Sequence, residues 1–218
     1  VGYARSVTVT ALLSLLVAVG AVGTAAYLRM KNDEAAVAAT PTSTPPPAPT
    51  SETCRHEPCT VVDTATLGST KIELIVDSGG QGARVKVGDD RLFESKLPGR
   101  GATLGPDSLD CVASTLSACL VKGDLDTGMV GEVVVGRSGK WNLTTPTYFS
   151  SADYLRLTNI LGDLAPEVVT VQRGFFAQVF TVDGADLGCT ANTRQDRLPG
   201  WPAEVKPSQA QLQRPCPN

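Results

Sequence analysis

The sequence predicts a mainly β domain held behind a membrane-spanning helix, and three observations carry that prediction. Val7–Leu28 is an apolar run without a charge. A stretch rich in proline, threonine and alanine follows it, and all six cysteines lie beyond that stretch. After the first cysteine the apolar runs are short, β-branched and separated by glycines, which is the pattern of strands rather than helices.

At about 1.5 Å per residue, a helix over Val7–Leu28 crosses a hydrocarbon core of ~30 Å. The run exceeds the roughly 7–15 apolar residues of a secretory signal, which favours an uncleaved signal anchor. Small residues at Thr24-Ala25-Ala26 and Ala36-Val37-Ala38 leave secretion after cleavage as the alternative. Residues 1–6 then read as a short cytoplasmic tail. Arg29 and Lys31 outnumber Arg5 across the run, so the positive-inside rule alone favours the opposite orientation. The linker and the cysteines outweigh it and set the C-terminal domain outside. Residues 29–53 contain Thr40-Pro-Thr-Ser-Thr-Pro-Pro-Pro-Ala-Pro-Thr50. Prolines supply no amide donor and hold the backbone extended, so this segment is expected to be a disordered, semi-rigid spacer.

The cysteines are Cys54, Cys59, Cys111, Cys119, Cys189 and Cys216. An even set beyond a membrane span predicts disulfides formed in an oxidising compartment. Short loops close at the least entropic cost, which favours Cys54–Cys59, Cys111–Cys119 and Cys189–Cys216. The other use of Cys54-Arg-His56-Glu-Pro-Cys59 is a metal clip, but no second cluster has the spacing of a zinc site.

From residue 54 to 218 the chain is long enough for one domain with a real core. Strands are expected at Thr60-Val-Val, Lys71–Val76, Ala83–Val87, Arg91-Leu-Phe, Ala118–Val121, Gly131–Val135, Glu167–Val171 and Ala177–Val182. Arg84, Lys86 and Gln178 alternate with apolar neighbours, as in antiparallel strands with one wet face. Ser78-Gly-Gly, Gly88-Asp-Asp, Arg137-Ser-Gly and Val182-Asp-Gly mark the turns. Short helical turns are expected near Ser150–Tyr154 and Ser208–Gln213.

Three of these strands share a pattern in which a polar or glycine-bearing loop leads to a glutamate and then an apolar strand: Glu73, Glu132 and Glu167 with their flanks. In this the chain resembles the FG-GAP/VCBS class of β-propeller repeat, in which an acidic loop leads into a buried strand and often holds Ca²⁺. Asn159, Gly162, Asp163, Pro166 and Glu167 fit the loop positions of that class. Asp124, Asp126 and Glu132 fit the first, third and last ligand positions of a middle copy. The resemblance implies blade-like repeats and a weak Ca²⁺ site at Asp124, Asp126 and Glu132. Gly128 stands where the central aspartate would be, Leu161 replaces another ligand, and the first copy keeps only Glu73. The copies are also unevenly spaced, and a closed propeller typically has about four blades or more. A partial blade stack or a two-sheet β-sandwich fits as well.

Ca²⁺ takes six to eight oxygen ligands. Each loop lacks one that the geometry normally uses, so hydrogen-bonded turns are the preferred reading of these carboxylates and no cofactor is expected. His56 is the one histidine of the chain. It has no Gly-x-Ser-x-Gly context, so an envelope hydrolase using His56 or the Asp124/Asp126/Glu132 cluster is the runner-up to a non-catalytic domain. A net charge of −3 without a basic block argues against nucleic acid as a partner. Phe175, Phe176 and Trp201 are possible contact residues, because Phe175-Phe176 follows Gly174 at an expected hairpin tip and Trp201 lies in Leu198-Pro-Gly-Trp-Pro. The expected partners are therefore the membrane through the N-terminal helix and an envelope protein or glycan through the β domain. The composition is similar to that of envelope proteins from high-GC bacteria.

Overall fold

A computed structural model describes residues 54–217. The apolar run Val7–Leu28 and the proline-rich stretch up to residue 53 lie outside the described residues. Among the described residues no helix is long and apolar enough to cross a membrane, and the helical segments are short 3-10 turns.

The domain is built from twelve strands in three antiparallel four-stranded sheets. The first sheet contains β1 (Thr60–Leu67), β2 (Thr70–Val76), β3 (Ala83–Val87) and β4 (Arg91–Ser95). The second contains β5 (Leu109–Val112), β6 (Ser117–Leu125), β7 (Gly128–Arg137) and β8 (Lys140–Ser150). The third contains β9 (Leu155–Thr158), β10 (Glu167–Gln172), β11 (Phe176–Thr181) and β12 (Asp186–Cys189). Within each sheet the strands follow chain order, so each is a meander joined by local turns.

Alternation along the strands explains how the sheets stack. On β6, Cys119 and Val121 face the first sheet and join Ile72, Leu74 and Val85 in one core. The intervening Ala118 and Leu120 face the third sheet and join Leu155, Leu157 and Val168 in another. The second sheet is therefore apolar on both faces. Burying each such Leu or Ile contributes about 1.5–3 kcal/mol. The far face of the third sheet, with Val169, Val171, Ala177 and Val179, is covered by Leu198 and Val205 from the C-terminal segment. That segment returns to β12 through backbone hydrogen bonds in both directions between Cys189 and Gln213.

The first strands of the sheets are linked by repeated carboxylate bonds. Asp63 on β1 accepts the Leu109 N–H of β5 at 2.8 Å, and Asp110 on β5 accepts the Leu157 N–H of β9 at 2.9 Å. Thr158 occupies the equivalent place on β9, and its buried hydroxyl has no partner.

All eight expected strands are present. Four were not read from the sequence: β5, β8, β9 and β12. In β8, Pro146 breaks the pattern but sits in a bulge of the β7–β8 pairing, on the sheet's last strand, where proline costs no ladder bond. A 3-10 turn occupies Gln209–Gln211, inside the expected helical segment, whereas residues 151–153 form a plain turn. The glutamate pattern is not the structural repeat. Glu73 and Glu167 lie on the second strands of their sheets, and Glu132 lies on the third strand of its own. The real repeat starts at Thr60, Leu109 and Leu155, which are almost evenly spaced.

Candidate functional site

The disulfides are Cys54–Cys59, Cys111–Cys119 and Cys189–Cys216, the pairing that loop closure favours, and no free cysteine remains among the described residues. Cys111 and Cys119 stand directly opposite each other on β5 and β6. Cys189–Cys216 fastens the C-terminal segment to β12. Three disulfides point to an extracytoplasmic domain.

Cys54–Cys59 closes the loop that carries His56, and this loop rests on the end of β2. The His56 carbonyl accepts the Ser78 N–H, and Asp77 Oδ1 accepts the Arg55 N–H at 3.3 Å. Asp77 also forms a buried ion pair with Arg84 at 3.0 Å. Ser95 lines the same cleft as His56 and Asp77. Its hydroxyl accepts the Leu97 N–H instead of meeting the imidazole, and Asp77 Oδ1 is shared by Arg84 and the Arg55 N–H while Oδ2 is buried without a hydrogen bond. The serine, histidine and aspartate share an opening here without forming a nucleophile–base chain. Cys54, Cys59 and Asp77 are the one trio of metal-ligand types in mutual reach among the described residues, and two of the three are joined in a disulfide.

The Ca²⁺ candidates are not brought together. Asp124 pairs with Met129 across the β6–β7 hairpin, and Asp126 lies in its turn. Glu132 pairs with Val121, which sets it on the opposite face of the sheet from Asp124. Asp124 and Asp126 are exposed, while Glu132 is buried between the first and second sheets and accepts a long bond from the Lys96 N–H at 3.4 Å. Gly128 is required by close packing, because a Cβ there would overlap the Ser150 carbonyl. We expect millimolar Ca²⁺ to leave the melting temperature unchanged. A calcium-dependent rise that Asp126→Ala removes would contradict this.

Glu167, the third glutamate of the pattern, bonds its own loop. It is 2% exposed, and its Oε2 accepts the N–H groups of Ile160 at 2.6 Å and Leu161 at 3.2 Å. Burial pushes its pKa up, and the two backbone donors only partly offset that. A carboxyl whose pKa is raised on folding favours the folded state below its unfolded pKa, and this contribution is lost as pH rises through the folded value. Across that window the stability advantage of the wild type over Glu167→Gln should shrink as pH rises. Paired melting curves check this, and a pH-independent difference would count against it.

The contact residues separate. Phe176 enters the core at 6% exposure, whereas Phe175 and Trp201 remain half-buried beside one cleft. Their rings meet edge-on at 5.6 Å, and Trp201 also lies 5.8 Å from Tyr154. Three segments build the walls. The turn after β8 is held to β10 by Ser150 Oγ, which donates to the Val171 carbonyl at 2.6 Å. Next to it, Ser151 Oγ donates to Gln172 Oε1 and accepts the Arg173 N–H. This fixes the β10–β11 turn, in which Phe175 has φ 52°. Such a conformation in a bulky residue costs of order 1–3 kcal/mol and persists only where its surroundings enforce it. Asp153, on the facing turn, has φ 55°.

The third wall is the C-terminal segment. The Val205 N–H donates to the Tyr154 hydroxyl at 2.6 Å. Gly200 allows the sharp turn behind Trp201, since a Cβ there would overlap the Glu204 carbonyl. The open cleft that results, about 470 Å³, is lined by Asp153, Tyr154, Arg173, Phe175, Gln195 and Trp201, among others. Tyr154 was missed in the sequence, where nothing links it to Val205, 51 positions away. The signal that was present is Cys216, whose pairing with Cys189 brings the C-terminal segment back over the third sheet.

No family model matches this sequence, and no curated protein or solved structure matches it.

Proposed function

We propose that the chain is a membrane-anchored, extracytoplasmic module that binds a component of the cell envelope and is not itself an enzyme. The observation that carries this reading is the cleft at Tyr154, Phe175 and Trp201. Half-buried aromatic rings beside a few polar groups are the usual make-up of a recognition site; here Phe175 sits in a strained turn, and Trp201 is carried by the C-terminal segment against the buried Tyr154. The apolar run, the proline-rich spacer and the three disulfides support an envelope location. The three stacked meanders support blade-like repeats, with the C-terminal segment covering the far face of the third sheet.

The test is recovery of envelope material on the immobilised full chain, compared with Gln195→Ala and Arg173→Ala. Both residues are exposed, so neither change opens the core. A retained component that both variants lose is the expected result. Identical retention by the wild type and the variants, or no retention at all, contradicts the proposal.

A further inference from the structure

The geometry points to a neutral oligosaccharide as the ligand of this cleft, an inference that rests on reading the domain as a binding module. Trp201 and Gln195 line not one opening but two. The first is the cleft with Tyr154 and Phe175. The second, about 500 Å³, is lined by Arg194, Gln195, Asp196 and Trp201. An indole and a carboxamide shared by two adjoining shallow openings form the middle of a groove, which suits a chain lying across the surface better than a small molecule enclosed in a pocket.

Charge narrows the class of ligand. The first opening carries Arg173 and Asp153, and the second carries Arg194 and Asp196, an exposed ion pair at 3.3 Å. A polyanion would meet a carboxylate in each opening, and a polycation an arginine in each. A neutral chain meets neither penalty. The groove also offers both sides of hydrogen bonding: arginine donates only, aspartate accepts only, and Gln195 does both. Tyr154 is 5% exposed and accepts the Val205 N–H, so it backs the groove, and Trp201 and Phe175 supply the open ring surface. Apolar ring surface edged by mixed donors and acceptors complements a sugar ring, which has C–H faces and a rim of hydroxyls. Fixing Phe175 through the Ser151–Gln172–Arg173 bonds lowers the ordering cost that binding would otherwise carry.

The experiment titrates the full chain, in a detergent without a sugar headgroup, with neutral hexasaccharides of N-acetylglucosamine, mannose or arabinose and with an acidic oligogalacturonate. The readout is tryptophan fluorescence. Trp141 is buried between sheets, at 8% exposure, which leaves Trp201 as the reporter. The expected result is saturable quenching by at least one neutral sugar below about 10 mM. Gln195→Ala and Arg173→Ala should each weaken it at least about tenfold, with melting unchanged. Absence of any neutral-sugar titration, tighter binding of the acidic chain, or titration unaffected by both variants would overturn the proposal. If no sugar binds while the same variants still abolish recovery of an envelope component, the oligosaccharide is wrong and the binding-module reading stands.

Discussion

Replacing Cys189 and Cys216 together by serine is expected to produce a large loss of stability. Their bridge spans 27 residues and encloses the whole segment that covers the third sheet. The chain-entropy account gives about 3.5 kcal/mol for a loop of that length. For a domain of this size that corresponds to a fall of roughly 10 °C in melting temperature. The loss should be accompanied by a change at the site, because Leu198, Trp201 and Val205 all lie within the loop and pack on Tyr154, Ile160 and Val169. Calorimetry and Trp201 fluorescence measured together test both parts. Cys111→Ser/Cys119→Ser is the comparison, since that shorter bridge joins strands already paired in register and should cost less. A Cys189/Cys216 variant that melts within about 2 °C of the wild type would show that the segment is held by packing alone.

Asp77→Ala is expected to cost about 3–5 kcal/mol, because it removes one member of a buried ion pair. The side chains are 7% and 0% exposed, so the pair is hardly screened by water. Asp77 also holds the Arg55 N–H, so the Cys54–Cys59 loop should loosen in the same variant. Desolvating both charges is itself expensive, and replacing the pair by apolar groups of similar size is often neutral. Asp77→Leu/Arg84→Met should therefore recover most of the stability that Asp77→Ala loses. Denaturant unfolding of the two variants checks this. Equal losses in both would mean that the attraction within the pair outweighs the cost of desolvating its two charges.

Much of the architecture was legible from local pattern. Runs such as Lys71–Val76 and Glu167–Val171 are β-branched, bounded by turns and long enough to bury, and they form strands as read. The missed strands fail those criteria for identifiable reasons. Leu109–Val112 carries Asp110, whose carboxylate is used to bond the next sheet. Lys140–Ser150 carries Pro146, made harmless by a bulge. The repeat frame differs from the glutamate pattern because the three glutamates do different work: Glu73 pairs with Lys71, Glu132 accepts the distant Lys96 N–H, and Glu167 caps Ile160 and Leu161 of its own loop. A shared local sequence therefore does not mark equivalent strands. At the candidate site, Phe175 and Trp201 were legible singly, as aromatics in turn contexts. Their meeting with Tyr154 depends on the C-terminal segment folding back, a long-range event that no sequence period encodes.

The central claim is that the domain meets its partner through the face built by the β10–β11 turn and the C-terminal segment. Site-specific photo-cross-linking in intact cells tests it most directly. A photoreactive residue at Ala203, exposed two residues after Trp201, is compared with one at Lys71, exposed on the first sheet at the other end of the stack. The account predicts a discrete cross-linked product from position 203 that is absent from position 71. Cross-linking from position 71 alone, or no product from position 203 when the chain is at its natural abundance, would contradict it.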